Sequence, residues 1–410
     1  LTLKPFLLLF PAVVAGLAWR YRKSILDRQW TLSEWDWLIA ACWSWTVFSC
    51  FFALDAGRGF RMAIQLAIVF FIAVGTARLV ADRTHVRRYL RFLSWSAAIV
   101  CAYALWQAVG YFLGFPSQQL LALARLNPTL PQMLVEPGAI VFADSMSVVR
   151  VSATFFDWNV FSAYLAMLLP LFLAVVWRYA LKGGLPNAIF WGLLLLVAAW
   201  LLTFSRSGWL GGISAVLILT GFGLPVRWLL RRYVVAIGAV VLVCLIAQVD
   251  PFTLLLQRLS QSVTGERSVQ EHGKYGLAAL DMLHEHPLTG VGIHNYATVY
   301  QRVYDPNIPG ATAHSGFLSI FAEMGFVGGL IYVLTFLYVL DSLWKAQRNR
   351  SISDPDGILL RSMFAAVIGL GVCNLFYHFW TQLFFWCFLG FCVAAAKGLA
   401  ISSEGESGPS

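Results

Sequence analysis

The chain has 410 residues, of which 12% are charged and 59% hydrophobic, and its mean hydropathy is +0.72. Soluble domains carry about 25% charged and about 45–50% apolar residues, so a water-soluble enzyme, a disordered chain and a disulfide-stapled secreted domain are all excluded. The formal charge of +9 comes without a basic stripe interleaved with stacking aromatics, so no nucleic-acid partner is expected. It sets membrane topology and meets anionic lipid instead.

The class left standing is an all-α, polytopic membrane helical protein. A spanning helix needs about 20 mostly apolar residues. In chain order such stretches fall near 5–19, 35–54, 60–77, 92–113, 155–177, 186–203, 208–224, 233–249, 315–340, 358–378 and 380–398. That makes eleven spans, or twelve with one further helix at the N-terminus, where the chain does not begin with Met and shows no signal-peptide cleavage pattern. The organisation that follows is N-terminal membrane helices (1–113), a first outward loop (114–154), central helices (155–249), a large outward loop with a surface helix (250–314), C-terminal helices (315–398) and a polar tail (399–410).

Lys and Arg in the loops orient the spans. Eighteen basic residues, from Arg20 through Arg78, Arg83, Arg178 and Arg227 to Lys345, Arg350 and Lys397, alternate onto one side, against ten on the other. The richer side is expected to be cytoplasmic, which puts both long loops on the non-cytoplasmic side. The seven cysteines lie inside apolar spans and share no loop, so neither disulfides nor a metal cluster is expected.

Within the second loop, Tyr275, Ala279, Met282 and Leu283 form one apolar stripe at helical spacing, with Lys274, Asp281 and Glu285 opposite. Pro287 ends that helix, and Gly290 and Gly292 in Pro287-Leu-Thr-Gly-Val-Gly allow a sharp turn. The pattern predicts an interfacial helix lying on the bilayer.

Awkwardly placed charges mark where chemistry belongs. Arg206, in Thr203-Phe-Ser-Arg-Ser-Gly-Trp209, occupies a connection of a few residues between two apolar spans. It either snorkels to headgroups or clamps a phosphate, for which its planar, permanently charged fork is suited. Arg267, like Arg150 and Arg125, reads on spacing alone as a solvated loop charge. His314 precedes the long helix opening Ser315-Gly-Phe-Leu. It is either a hydrogen-bonded structural residue or a general base, with an unperturbed pKa near ~6.5. Glu323, nine residues on and roughly 13 Å deeper, faces away from it and reads as a buried, paired structural carboxylate. Asp157 and Asn159 read as the cap of the fifth span. The histidines lack zinc spacing, so no metal is expected. Nucleotide-loop, serine-elbow and metalloprotease motifs are missing too.

Taken in order, Val151-Ser-Ala-Thr-Phe-Phe-Asp-Trp-Asn159, Thr203-Phe-Ser-Arg-Ser-Gly-Trp209, the stretch from Arg267 through His286-Pro-Leu-Thr-Gly-Val-Gly292, and His314-Ser-Gly-Phe-Leu…Ala322-Glu-Met-Gly325 resemble the O-antigen ligase and polymerase superfamily over about 150–330. The resemblance implies a C-type glycosyltransferase fold and a metal-independent transfer without cofactors. The donor it implies is an undecaprenyl diphosphate-linked glycan, and the acceptor in ligases is a sugar hydroxyl of the lipid A core. By position it implies that Arg206 and Arg267 hold the donor diphosphate and that His314 acts as base, with Arg150 and Asn159 in support. Ser315 stands where the family usually has Asn, and Tyr275 replaces or shifts an aromatic of the surface helix; both departures bear on the acceptor. The expected function is a glycan ligase of lipopolysaccharide biosynthesis. A polymerase using the same donor is the nearest alternative. A transporter is the other, although Glu323 is nearly alone at depth and paired broken helices are not visible.

Overall fold

The computed structural model describes residues 14–20, 31–80, 82–112, 139–141, 147–155, 157–225, 227, 231, 267–308 and 310–405. Most of the span near 5–19, the whole span near 233–249, Arg125 and the first part of the large loop lie outside them. After a helical stretch at 14–20 come α1 (Glu34–Ser49), α2 (Ala56–Leu79), α3 (Arg83–Phe112), α4 (Trp158–Ala180), α5 (Asn187–Leu201) and α6 (Arg206–Gly221). Then follow α7 (Arg267–Glu285), α8 (Tyr296–Val303), α9 (Gly316–Gln347), α10 (Pro355–Phe376) and α11 (Leu383–Gly405). A small antiparallel hairpin, β1 (Ala139–Val141) and β2 (Ser147–Val149), interrupts the all-helical pattern. Five of these helices, α2, α3, α4, α9 and α10, are long and apolar enough to cross a membrane.

Helix starts follow local chemistry. Ser33 and Asp36 form a reciprocal capping box at α1. Asp157, Ser205, Ser315 and Asp354 each accept backbone N–H bonds at the first turn of α4, α6, α9 and α10, supplying partners for donors the helix leaves unpaired. α3 begins nine residues before the expected boundary, because its arginine-rich first turns continue the helix rather than forming a loop.

Buried α4 is the hub, with α6 and α10 packed on it and on each other. Close approach requires small residues: a Cβ on Gly208 would lie 1.9 Å from Ser162 Oγ, and one on Gly211 2.5 Å from the Gly369 carbonyl oxygen. Small residues let membrane helices approach this closely. Several arginines of the basic-rich loops are tied to the helix ends. Arg20 donates to the Leu79 carbonyl, Arg83 pairs with Asp356 at 3.1 Å, and Arg78 pairs with Asp36. Arg361, 5% exposed, ties the α9–α10 turn by donating to Gln347 Oε1 and the carbonyls of Arg350 and Ser351. The six described cysteines are free.

α9 is broken at Gly325, where φ is 67° and ψ −173°. The loop Pro287–Gly292 fills the break. Val291 N–H donates to the Ala322 carbonyl at 2.9 Å, and Phe326 N–H donates to the Pro287 carbonyl at 2.7 Å. From the opposite side Trp45 Nε1 donates to the Met324 carbonyl at 2.8 Å. Backbone groups freed inside an apolar slab are costly unless re-paired, and these three bonds re-pair them. Glu323 is buried, and Tyr296 N–H donates to its Oε1 at 3.2 Å, so its partners are loop amides rather than a cation.

The surface helix corrects one expectation. α7 starts at Arg267, earlier than its apolar stripe suggested, and the stripe packs on protein. Tyr275, Ala278, Ala279 and Met282 are buried with Val291, Tyr296, Tyr300, Ala313 and Ala322 in a second core, while Leu277 and Leu280 face outward.

The break makes a stability prediction. A Cβ at Gly325 would lie 2.3 Å from the Leu288 carbonyl group, in a conformation that only glycine adopts readily. Gly325→Ala is expected to cost about 2–4 kcal/mol. Gly183→Ala, also at positive φ but with open space around it, is expected to cost only about 1–2 kcal/mol. Thermal unfolding of the two variants in detergent checks the order.

Candidate active site

The N-terminal ends of α4, α6 and α9 and the α10–α11 link come together at one end of the bundle. The Thr203–Arg206 turn is held from several sides. Thr203 Oγ1 bonds Ser162 Oγ at 3.0 Å and the Trp200 carbonyl at 2.7 Å. Ser205 Oγ donates to Asn159 Oδ1 at 2.8 Å. Val151 N–H donates to the Leu202 carbonyl, strapping the preceding segment over the turn.

Arg150 locks this arrangement. Its Nε donates to the Thr203 carbonyl at 2.9 Å, and Nη2 donates to Asn159 Oδ1 and the Phe204 carbonyl, each at 3.2 Å. The guanidinium also lies 4.2 Å over the Trp158 ring, a cation–π contact. Arg206 follows as the first residue of α6, half-buried, where the helix's positive end adds to its charge. Arg267 opens α7, and its side chain lies outside the described residues.

His314 sits in the left-handed region, φ 49°, immediately before Ser315 caps α9. Its imidazole lies between two aromatic rings, Tyr275 of α7 at 5.4 Å and Tyr377 of the α10–α11 link at 6.4 Å between centroids. Gly316 packs so tightly on Asn374 that a Cβ would lie 2.1 Å from Asn374 Oδ1. Ala153, Phe204 and His294 also hold positive φ without being glycine. Strain of this kind persists only where surrounding structure enforces it, and here it falls inside three of the four sequence motifs, with His294 two residues past the other.

Tyr377 connects the two halves. Its hydroxyl donates to Asp157 Oδ2 at 2.5 Å, while Asp157 Oδ1 accepts the N–H groups of Asn159 and Val160. Asp157 is therefore both helix cap and hydroxyl acceptor. Burial first, and then the adjacent Asp157 charge, raise the Tyr377 pKa, with Asn159 and Arg150 opposing. Tyr377 is thus a proton donor held away from ionisation. Burial holds the neighbouring His378 below the usual imidazole pKa, against the pull of Asp157; its Nδ1 is enclosed without a hydrogen-bond partner.

The structure therefore joins Arg150, Asn159 and the turn before Arg206 by direct bonds, and reaches His314 through Asp157 and Tyr377. Spacing and periodicity missed Tyr377 and His378 because they fell at the end of an apolar span, 358–378. The available signal was a polar Tyr-His pair closing that span on the same side as the long loops. Among the described residues, no group of three or more His, Cys, Asp or Glu could hold a metal ion.

Residues 191–333 match the family described as O-Antigen ligase, and this supports assigning the chain to an O-antigen ligase-like superfamily. The matched stretch contains Arg206, Arg267 and His314. No curated protein matches the chain.

Two outcomes follow from the Tyr377 link. Tyr377→Phe leaves Asp157 Oδ2 without its donor and is expected to lower stability by about 1–3 kcal/mol, measured by thermal unfolding. His378 has a folded pKa below its unfolded 6.5, so its contribution is present above that pH and is lost as pH falls through it. Between pH 7.5 and 5.5 the wild-type Tm is expected to drop further than that of His378→Gln.

Proposed function

We propose that this protein is a membrane glycosyltransferase of lipopolysaccharide biosynthesis. In this reading it transfers an undecaprenyl diphosphate-linked glycan to a sugar hydroxyl of the lipid A core, on the periplasmic side of the inner membrane. The observation that carries the proposal is the hydrogen-bonded set Arg150–Asn159–Ser205 and Asp157–Tyr377, with the Tyr377 ring 6.4 Å from the His314 imidazole between centroids. It sits where the motifs converge, and Arg206 and His314 fall inside the stretch matching O-antigen ligases.

The chemistry follows from the groups present. The acceptor hydroxyl oxygen bonds to the anomeric carbon as that carbon's bond to the diphosphate oxygen breaks. His314 takes the hydroxyl proton, and the lipid diphosphate departs with the bonding electrons. Negative charge grows on the leaving group in the transition state, so the permanent positive charges of Arg206 and Arg267 would stabilise it more than they stabilise the bound donor. Tyr377 does not compete as base, because its hydroxyl already donates to Asp157 and burial disfavours its anion. The rings of Tyr275 and Tyr377 limit how far the imidazole swings, which favours a fixed approach to the hydroxyl.

A lipopolysaccharide ladder gel tests the proposal in a strain lacking the gene. Bare core with accumulated lipid-linked long polymer is the expected result, and core carrying a single repeat would assign polymerisation instead. Complementation with His314→Ala is expected to restore less than about one hundredth of the wild-type transfer, the usual span of general-base losses. Full rescue by that variant would remove His314 from the reaction.

A further inference from the structure

A second feature lies at the far end of the bundle. A cavity of about 680 Å³ opens between α3, α4 and α5. Following α4 from Asn159 to Arg178 covers roughly 28 Å at the helical rise, so the cavity's Arg178 end is a membrane thickness away from the Tyr377 network.

The lining is graded. Arg83, Arg87 and Arg91 stand four residues apart on one face of α3, joined by Arg178 from α4. Further along, the walls turn apolar, with Leu171, Phe172, Val175, Ile189 and Leu195. Asp356 is the one carboxylate in the lining, and it is taken by Arg83. No ion pair among the described residues engages Arg87, Arg91 or Arg178. Like charges stacked at four-residue spacing repel, so the cluster is relieved by an anion. A charged rim leading into an apolar slot matches the head-to-tail polarity of one ligand class.

We propose that this cavity binds an anionic phospholipid of the surrounding bilayer. The headgroup phosphate sits among Arg87, Arg91 and Arg178, and an acyl chain fills the slot between α3 and α5. Basic pockets between membrane helices hold acidic headgroups in this way, and guanidinium forks suit phosphate oxygens. Charge argues against the chain's own segment 233–249 as occupant, since it is apolar and carries no acidic residue to neutralise the arginines. The site uses none of the residues proposed for glycan transfer and stands or falls independently of them.

Native mass spectrometry of the purified full chain, with phosphatidylglycerol or phosphatidylcholine added at equal concentration, tests this directly. The wild type is expected to retain phosphatidylglycerol at least tenfold better than phosphatidylcholine and to gain several degrees in Tm from it. Arg87→Gln/Arg91→Gln/Arg178→Gln is expected to lose that preference. A second variant keeps the charges and fills the slot: Gly192 in α5 has only the Phe172 ring near its would-be Cβ, at 3.8 Å. Gly192→Trp is therefore expected to lose the lipid adduct while eluting as a monodisperse protein. Equal retention of both lipids, unchanged retention in the triple variant or in Gly192→Trp, or no adduct on the wild type would each overturn the proposal. The last result is the one expected if segment 233–249 fills the slot.

Discussion

The break in α9 is the constraint on which the rest of the outer half depends. An unpaired amide or carbonyl inside an apolar slab costs several kcal/mol, so a helix interrupted at Gly325 survives only with partners in place. The Pro287–Gly292 loop supplies two and Trp45 the third. That requirement pins a loop to a membrane helix. Once pinned, the loop fixes α8 through Glu323 and fixes α7 through the second apolar core. Tyr275 is delivered to the imidazole of His314 by this chain of contacts. Glu323, which has no proton-transfer partner in view, contributes by holding backbone.

The opposite wall of the site is built differently. There the organising group is Arg150, whose donors go to two carbonyls and the Asn159 amide oxygen while its face rests on Trp158. A guanidinium spent on the backbone of Thr203 and Phe204 stabilises the strained turn at Phe204. It therefore belongs to the scaffold that presents Arg206 at the start of α6.

How much of this was legible in the sequence varies with the physics involved. Hydropathy marked the stretches that hold α2, α3, α4, α9 and α10, because burial in lipid leaves a long, composition-based signal, and Asp157 marked the start of α4 through local hydrogen bonds. The seclusion of Glu323 followed from helical phase alone. Periodicity showed that α7 has an apolar stripe, but a stripe says nothing of whether lipid or protein covers it, and here Ala322 and Tyr296 do. The break at Gly325 was hidden because glycine is common in membrane helices and its φ is set by a loop far away in the chain. Tyr377 and His378 were hidden for a related reason: a window average absorbs two polar residues at the end of an apolar run.

Around the cavity end of the bundle the arginines differ in how they are satisfied, and this separates structural from cavity-lining charge. Near the α9–α10 turn, Arg361 and Arg350 are saturated by carbonyls, a side-chain amide and Asp354, so these cations staple the fold. On α3 and α4, Arg87, Arg91 and Arg178 line open volume instead. Burying or crowding cations without counter-charge costs free energy, and a folded chain that keeps three of them around an apolar slot is poised for an anion from its surroundings. In a membrane protein that surrounding is lipid. Under the proposed function, the two ends of the bundle share one logic, in which guanidiniums receive a phosphate carried on a hydrocarbon chain.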